Sequence, residues 1–273
     1  MSAASVNEHY GLPDLAQRIL NALEKAGKNL VALTIDDLAP VDQFHVRGKQ
    51  STLELAQRAG ISAGQRILDV GGGLGGPART LAILFGCDVT VVDLTEEYCR
   101  VGEMLTARMG LSGRVHHHHG NALALAFPDA SFDVVWTQHS TMNIEEKSSV
   151  YAEFQRVLRH EGRYALQEIM QGDNTPVHFP VPWARDPGIS FLQPPNAIRP
   201  LIKAAGFTTL TWIDETASAR AWYDKRLQSV TDGLPPLGVH LLLGEDMLAM
   251  SQNQIRNLNE GRIAIVQAVF QKT

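Results

Sequence analysis

The chain has 273 residues, 44% of them hydrophobic and 19% charged, enough apolar material for a sizeable core and too much for wholesale disorder. A formal charge of −5 argues against a protein built to grip phosphate backbones, so no nucleic-acid partner is expected. No apolar run approaches the roughly 18 residues that span a bilayer, and the first residues lack the basic-then-apolar layout of a secretory leader; a cytoplasmic protein with no membrane partner is expected.

Residues 1 to about 60 read as helical, Leu12–Leu23 most clearly. From Arg66 onward, short β-branched runs alternate with longer amphipathic ones. Arg66–Val70 is a strand, followed by a glycine-rich turn and a helix from about Gly76 to Phe85. Asp88–Asp93 is the second strand and Glu96–Met109 a helix; Arg114–His119 and Phe132–Thr137 are the third and fourth strands. Glu146–Leu158 carries Val150, Phe154, Val157 and Leu158 at one-face helical spacing. Arg163–Ile169 is a fifth strand, Asn196–Ala205 a helix stopped by Gly206, and Phe207–Ile213 a sixth strand. Arg262–Gln271 is a last strand with no helix after it. Such alternation predicts crossover units and a mainly parallel sheet. Met170–Gln193, rich in proline and aromatics, and Ala217–Glu260 fall outside the rhythm; long insertions of this kind are usually lids or binding loops. The two cysteines, Cys87 and Cys99, fit neither a disulfide framework nor a CxxC motif.

The first turn reads Asp69-Val70-Gly71-Gly72-Gly73-Leu74-Gly75-Gly76. Five glycines in six positions let a ligand approach the backbone, and the next helix offers free N–H groups to it. Asp93, about 22 residues beyond Gly71 at the tip of the second strand, is placed to accept both hydroxyls of a ribose. The bland alternative is a sharp strand-to-helix turn with no ligand. Gly71-x-Gly73-x-x-Gly76 also satisfies a dinucleotide fingerprint, so a nicotinamide dehydrogenase is weighed. Against it, Asp69 would set a negative charge beside a pyrophosphate, whereas the ammonium group of a sulfonium amino acid would welcome it. Gly120-Asn121-Ala122 after the third strand suits the reading of an adenine edge.

In this order the segments DVGGGLGGPAR, VVDLTEEYC, GNALALAFPDASFDVVW, RVLRHEGR and RIAIVQAVF resemble class I S-adenosylmethionine-dependent methyltransferases, over roughly residues 60–273. The likeness is strongest to the small-molecule branch that includes sarcosine/dimethylglycine, tocopherol-type and natural-product methyltransferases. It implies an α/β, Rossmann-like, doubly wound seven-stranded sheet with its last strand antiparallel. A helical N-terminal cap over residues 1–62 would precede a methyltransferase domain over 63–273, with lid insertions at about 170–193 and 217–260. It further implies S-adenosyl-L-methionine as cofactor, with Gly71, Gly73 and Gly75 against its methionine part and Asp69 near its ammonium. Asp93 would hold the ribose, Leu94 would pack on the adenine, and Asn121 and Ala122 would read the adenine amino group. Gln138 and His139 would touch both cofactor and acceptor.

Methyl transfer is an in-line displacement, helped chiefly by alignment in a closed, dry site. A general base is needed only where the acceptor loses a proton, and His139 is the candidate, its alternative a purely positioning role. Tyr10, Phe44, His45, Asn143 and Trp183 are candidate substrate contacts, although a satisfied structural histidine is the commoner fate of a residue like His45. The run His116–His119 alternates faces on a strand and lacks further ligands at metal spacing, so no metal is expected. A monomer or homodimer acting on a small molecule is the expected assembly. Two other readings stay open: an enzyme of this fold that catalyses a cyclisation or rearrangement, and a non-catalytic binding module.

Overall fold

A computed structural model describes residues 9, 10, 14–229 and 235–273, the side chains of 226–229 excepted. Leu12, at the start of the helix predicted over Leu12–Leu23, lies outside the described residues. The remainder of that helix is α1, Leu15–Lys25, and it presents Leu15, Ile19 and Leu23 to the interior. α2, Ile35–Asp42, starts at a capping box in which Thr34 and Asp37 satisfy each other's backbone N–H groups. α3, Gly48–Arg58, completes the segment before the sheet.

The alternation read from the sequence is the alternation found. β1 (Arg66–Val70) leads to α4 (Gly76–Phe85), β2 (Asp88–Asp93) to α5 (Glu96–Arg108), then come β3 (Val115–His119) and β4 (Phe132–Gln138). α6 (Lys147–Val157) runs directly into β5 (Leu158–Gln171), followed by α7 (Pro195–Ala204), β6 (Phe207–Asp214) and α8 (Thr216–Ser229). The short α9 (His240–Leu243) and α10 (Met247–Asn259) precede β7 (Ile263–Lys272). β5 begins five residues before the predicted Arg163, because Leu158 already pairs with Phe132 ahead of a bulge in the β4–β5 register.

The strand order is β3-β2-β1-β4-β5-β7-β6. β1 to β5 are parallel, and β7 runs antiparallel between β5 and β6. The sheet is covered on both faces, which explains why its central strands read as near-continuous apolar runs. Ile67, Val134, Trp136 and Val269 pack against α3 and α4, while Leu68, Val135, Tyr164 and Phe270 pack against α6 and α7. A third cluster joins Leu15, Ile19, Leu38 and Val41 to Val101 and Leu105 of α5 and to Leu237 and Leu242. α1, α2 and the last insertion are thereby fixed against α5. Among the described residues no helix is long and apolar enough to cross a membrane.

Candidate active site

The carboxyl ends of β1, β2 and β4 open onto a cavity of about 300 Å³. Pocket walls in a parallel sheet belong at these ends, where the crossover to the next helix leaves a crevice. The segment 39–46, the Pro182–Trp183 corner and Trp222, Tyr223, Leu242 and Leu243 supply the other walls, so all three insertions contribute.

The glycine turn forms the floor. Gly71 has φ +72°, its N–H donates to the Val92 carbonyl at 2.7 Å, and a Cβ there would overlap Ser140. Only glycine fits without displacing the loop after β4. Gly73 donates its N–H to Asp93 Oδ2 at 2.9 Å and Thr95 donates to Oδ1 at 2.8 Å, which orients the carboxylate at the end of β2. Gly75 corrects the sequence expectation: it caps α4 facing His117 of β3 and does not line the cavity. Asp69 is 1% exposed, and its Oδ2 has no hydrogen-bond partner. Burial, reinforced by nearby Asp93, pushes its carboxyl up to about 8. Burial also raises Asp93, against the pull of the two N–H groups that hold it. Leu94, Asn121 and Ala122 line the cavity; Asn121 spends its Oδ1 on the Leu123 N–H at 2.9 Å.

Past β4 the chain turns sharply at His139, with φ +55° in a non-glycine residue. That backbone costs free energy and persists only where its surroundings enforce it. Here the His139 N–H donates to the Gln167 carbonyl at 2.8 Å, and the next turn is anchored through Thr141 N–H to the Glu168 carboxylate and through Lys147 Nζ to the Thr141 carbonyl at 2.6 Å. His139 lines the cavity, and its Nε2 is buried without a partner. Burial, with His45 as a second cause, holds its pKa well below the ordinary histidine value. The two rings stand 6.2 Å apart. His45 Nε2 lies 3.0 Å from the Gly48 carbonyl and 3.1 Å from Thr52 Oγ1, and burial lowers its pKa to about 4. Both histidines are therefore neutral near pH 7.

Gln138 and Asn143 reach the cavity wall, but structural duties occupy them. Gln138 Oε1 accepts from Trp136 Nε1 at 3.0 Å and Thr52 Oγ1 at 3.1 Å, and its Nε2 donates to Gln167 Oε1 at 2.8 Å. Asn143 donates to the Trp183 and Ile189 carbonyls at 2.8 and 2.7 Å and accepts from the Tyr10 hydroxyl at 3.1 Å. It staples the 183–189 loop and Tyr10 to the sheet. Phe44 and Trp183 line the cavity, the Trp183 indole N–H being satisfied by Ser190 Oγ at 2.9 Å.

Tyr98 and Ser140 are among the wall residues that escaped the sequence reading. Tyr98 and Ser140 line the cavity with hydroxyls that have no partner. The available signal for Tyr98 was its place in the first turn of α5, just beyond the acid of β2. The histidine run is dispersed: His117 faces Thr106 Oγ1 at 3.1 Å, His118 packs edge-on against Phe127 and His119 reaches the Leu94 carbonyl at 3.0 Å. Among the described residues no three His, Cys, Asp or Glu side chains are grouped to hold a metal ion.

Residues 68–166 match the family described as "Methyltransferase domain". The sterol 24-C-methyltransferase of Eremothecium gossypii is 37% identical over 44% of this chain and 32% of its own length. The sarcosine/dimethylglycine N-methyltransferase of Halorhodospira halochloris is 27% identical over 68% of this chain and 66% of its own. The chain thus spans less than two thirds of the length of either relative. The crystal structure of the [4+2]-cyclase SpnF superposes with a TM-score of 0.71 at 22% identity, over 100% of this chain and 97% of that one. At that identity the likeness is one of fold, and the fold is the Rossmann-like one of class I methyltransferases.

Proposed function

We propose that this protein transfers the methyl group of S-adenosylmethionine to a small organic acceptor by in-line displacement. The observation that carries the reading is a pair of acids, buried Asp69 and half-buried Asp93, at adjoining strand ends of a cavity whose described walls include no lysine or arginine. Such a wall asks for a ligand with excess positive charge and hydroxyl donors, and it is a poor bed for the pyrophosphate of a nicotinamide dinucleotide. The sulfonium supplies an activated methyl group when the cofactor is bound. Asp93, already fixed by two N–H donors, has lone pairs left for ribose hydroxyls. Leu94 and Ala122 offer apolar contact to adenine, and the Asn121 amide is free to meet its edge. The backbone at Gly71 and Gly73 admits the methionine part, and Asp69 Oδ2 faces its ammonium.

In this reading residues 1–62 cap the site, the insertions at about 170–193 and 217–260 are its lids, and 63–273 is the catalytic domain. A cytoplasmic monomer or homodimer without nucleic-acid or membrane partners agrees with the charge and composition. Calorimetry with S-adenosylmethionine and with NAD tests the cofactor, and S-adenosylhomocysteine formation on turnover tests methyl transfer. Tight NAD binding without S-adenosylmethionine binding would refute the reading; turnover without S-adenosylhomocysteine would favour a cyclisation or rearrangement.

Two expectations follow at the acids. Asp93→Ala should weaken S-adenosylhomocysteine binding by about 1.5–3 kcal/mol for each charged hydrogen bond lost. Calorimetric titration reads this directly, and an unchanged affinity removes Asp93 from the site. With its carboxyl at about 8, Asp69 is largely protonated at pH 7 before the ligand arrives. An ammonium group beside it favours the ionised form, so binding should release close to one proton at pH 7, and progressively less above pH 8. Titrations at pH 7 in buffers of different ionisation enthalpy measure the release. Asp69→Asn should abolish it; heats that do not depend on the buffer would show that no ammonium group meets this carboxylate.

A further inference from the structure

The cavity is divided by charge. Both of its unpaired carboxylates, Asp69 and Asp93, stand at the strand ends used above for the cofactor. Its third acid, Asp42, is tied to Arg79 at 2.8 Å, and the same guanidinium also donates to Thr106 Oγ1 at 3.0 Å. The remaining wall is carbon surface, made chiefly by Phe44, Val46, Met142, Ile169, Trp183 and Trp222. His45, His139, Ser251 and Gln254 interrupt it without a charge, both histidines being neutral near pH 7. An acceptor with a carboxylate or phosphate would shed its hydration there and find no described lysine or arginine to replace it. A cationic acceptor would find no free carboxylate on that wall and would face the sulfonium charge. His139 and its neighbour Ser140 line the cavity beside this wall, each with a buried polar atom that has no partner, and of the two the His139 Nε2 is the one that can take up a proton.

Resting on the methyl-transfer reading, we propose that the acceptor is an uncharged, lipophilic, ring-bearing alcohol or phenol whose hydroxyl hydrogen-bonds to His139 Nε2. In the reaction the acceptor O–H proton passes to Nε2 and the O–CH3 bond forms as the C–S bond breaks. The cofactor's sulfur becomes a neutral thioether, and its single positive charge reappears on the imidazole. That proton leaves to water as the products depart. The aromatic side chains flank the acceptor ring, and the apolar wall keeps water from competing for the methyl group.

The test uses the full-length protein saturated with S-adenosylhomocysteine and equilibrium dialysis of five probes: 2-naphthol, naphthalene, 2-naphthoate, 2-naphthyl phosphate and 2-naphthylmethylamine. The expected result is 2-naphthol bound about tenfold or more tightly than each charged probe. Ser251→Lys, which adds a cation to the wall, should narrow the gap between 2-naphthoate and 2-naphthol by about tenfold. 2-Naphthol should also bind about fivefold more tightly than naphthalene, an advantage that His139→Leu erases. A charged probe binding as well as 2-naphthol overturns the proposal, as does failure of all five to bind the loaded protein. Equal binding of naphthalene and 2-naphthol overturns the part given to His139. Failure of S-adenosylhomocysteine to load the protein strikes instead at the methyl-transfer reading beneath.

Discussion

Replacing His139 by alanine is expected to lower kcat by about 10²–10⁴, the range supplied by a positioned general base, while cofactor affinity changes little. The base is proposed on geometry: a buried Nε2 without a partner, in a residue that lines the cavity on a backbone held at φ +55°. Its depressed pKa shapes the pH profile. A histidine in the ordinary range would give kcat/KM an acidic limb near 6.5. Because burial holds His139 well below that value, the limb should fall well below pH 6.5, with a flat profile through neutrality. In His139→Ala the slow residual rate should instead climb with pH, as ionised acceptor replaces the assisted one. Stability carries the same sign. The folded pKa values of His139 and His45 lie below the unfolded value, so their contribution is fully present above pH 6.5 and is lost as pH falls from there towards about 4. His139→Ala should make acid unfolding less steep in that window. An unchanged kcat and pH profile would reduce the residue to a positioning role and point to an acceptor that keeps its protons.

The strand ends could be read from the sequence because each announces itself locally. Val91, Val92 and Asp93 show where β2 stops, and the glycines after Asp69 show where a ligand approaches; β1, α4 and β2 lie where the pattern put them. Gly75 was misread because the glycine pattern cannot say which N–H groups face the cavity and which face β3. Asn143 and Gln138 were legible as residues just past β4, yet their duties depend on Trp183, Ile189, Thr52 and Gln167, which are remote in sequence. The same holds for Glu168 and Lys147, which fix the turn after His139. The acceptor wall was least legible of all. Its side chains come from three insertions whose composition suggests lids but does not say which rings meet.

The other large effect lies where α2 meets the glycine-loop helix. Asp42→Asn is expected to destabilise the protein by about 3–5 kcal/mol, the cost of leaving a buried charge without its partner. Arg79 is 0% exposed, and its NH2 lies 2.8 Å from Asp42 Oδ2, with the Asp42 side chain itself 2% exposed. The pair is imperfectly satisfied even when intact, since Asp42 Oδ1 and Arg79 Nε have no partners. Thermal unfolding should fall by about 10 °C, at roughly 2–4 °C per kcal/mol for a chain of this size class. The double variant Asp42→Leu/Arg79→Met should recover most of the loss, because well-packed apolar residues replace a buried ion pair at little cost. Contact here is also steric: a Cβ on Gly76 would overlap the Asp42 carbonyl, so α4 and α2 meet backbone to backbone. From sequence, residues 1–45 look like a cover that can be cut away to leave a folded sheet. The ion pair argues the opposite, since that deletion removes Asp42 and strands Arg79 along with the apolar faces of α5 and α9. The truncated chain is expected to unfold at far lower urea than the whole protein. An Asp42→Asn variant within about 1 kcal/mol of wild type would show that Thr106 and the Gly102 carbonyl suffice to hold the guanidinium, and would make the cover separable after all.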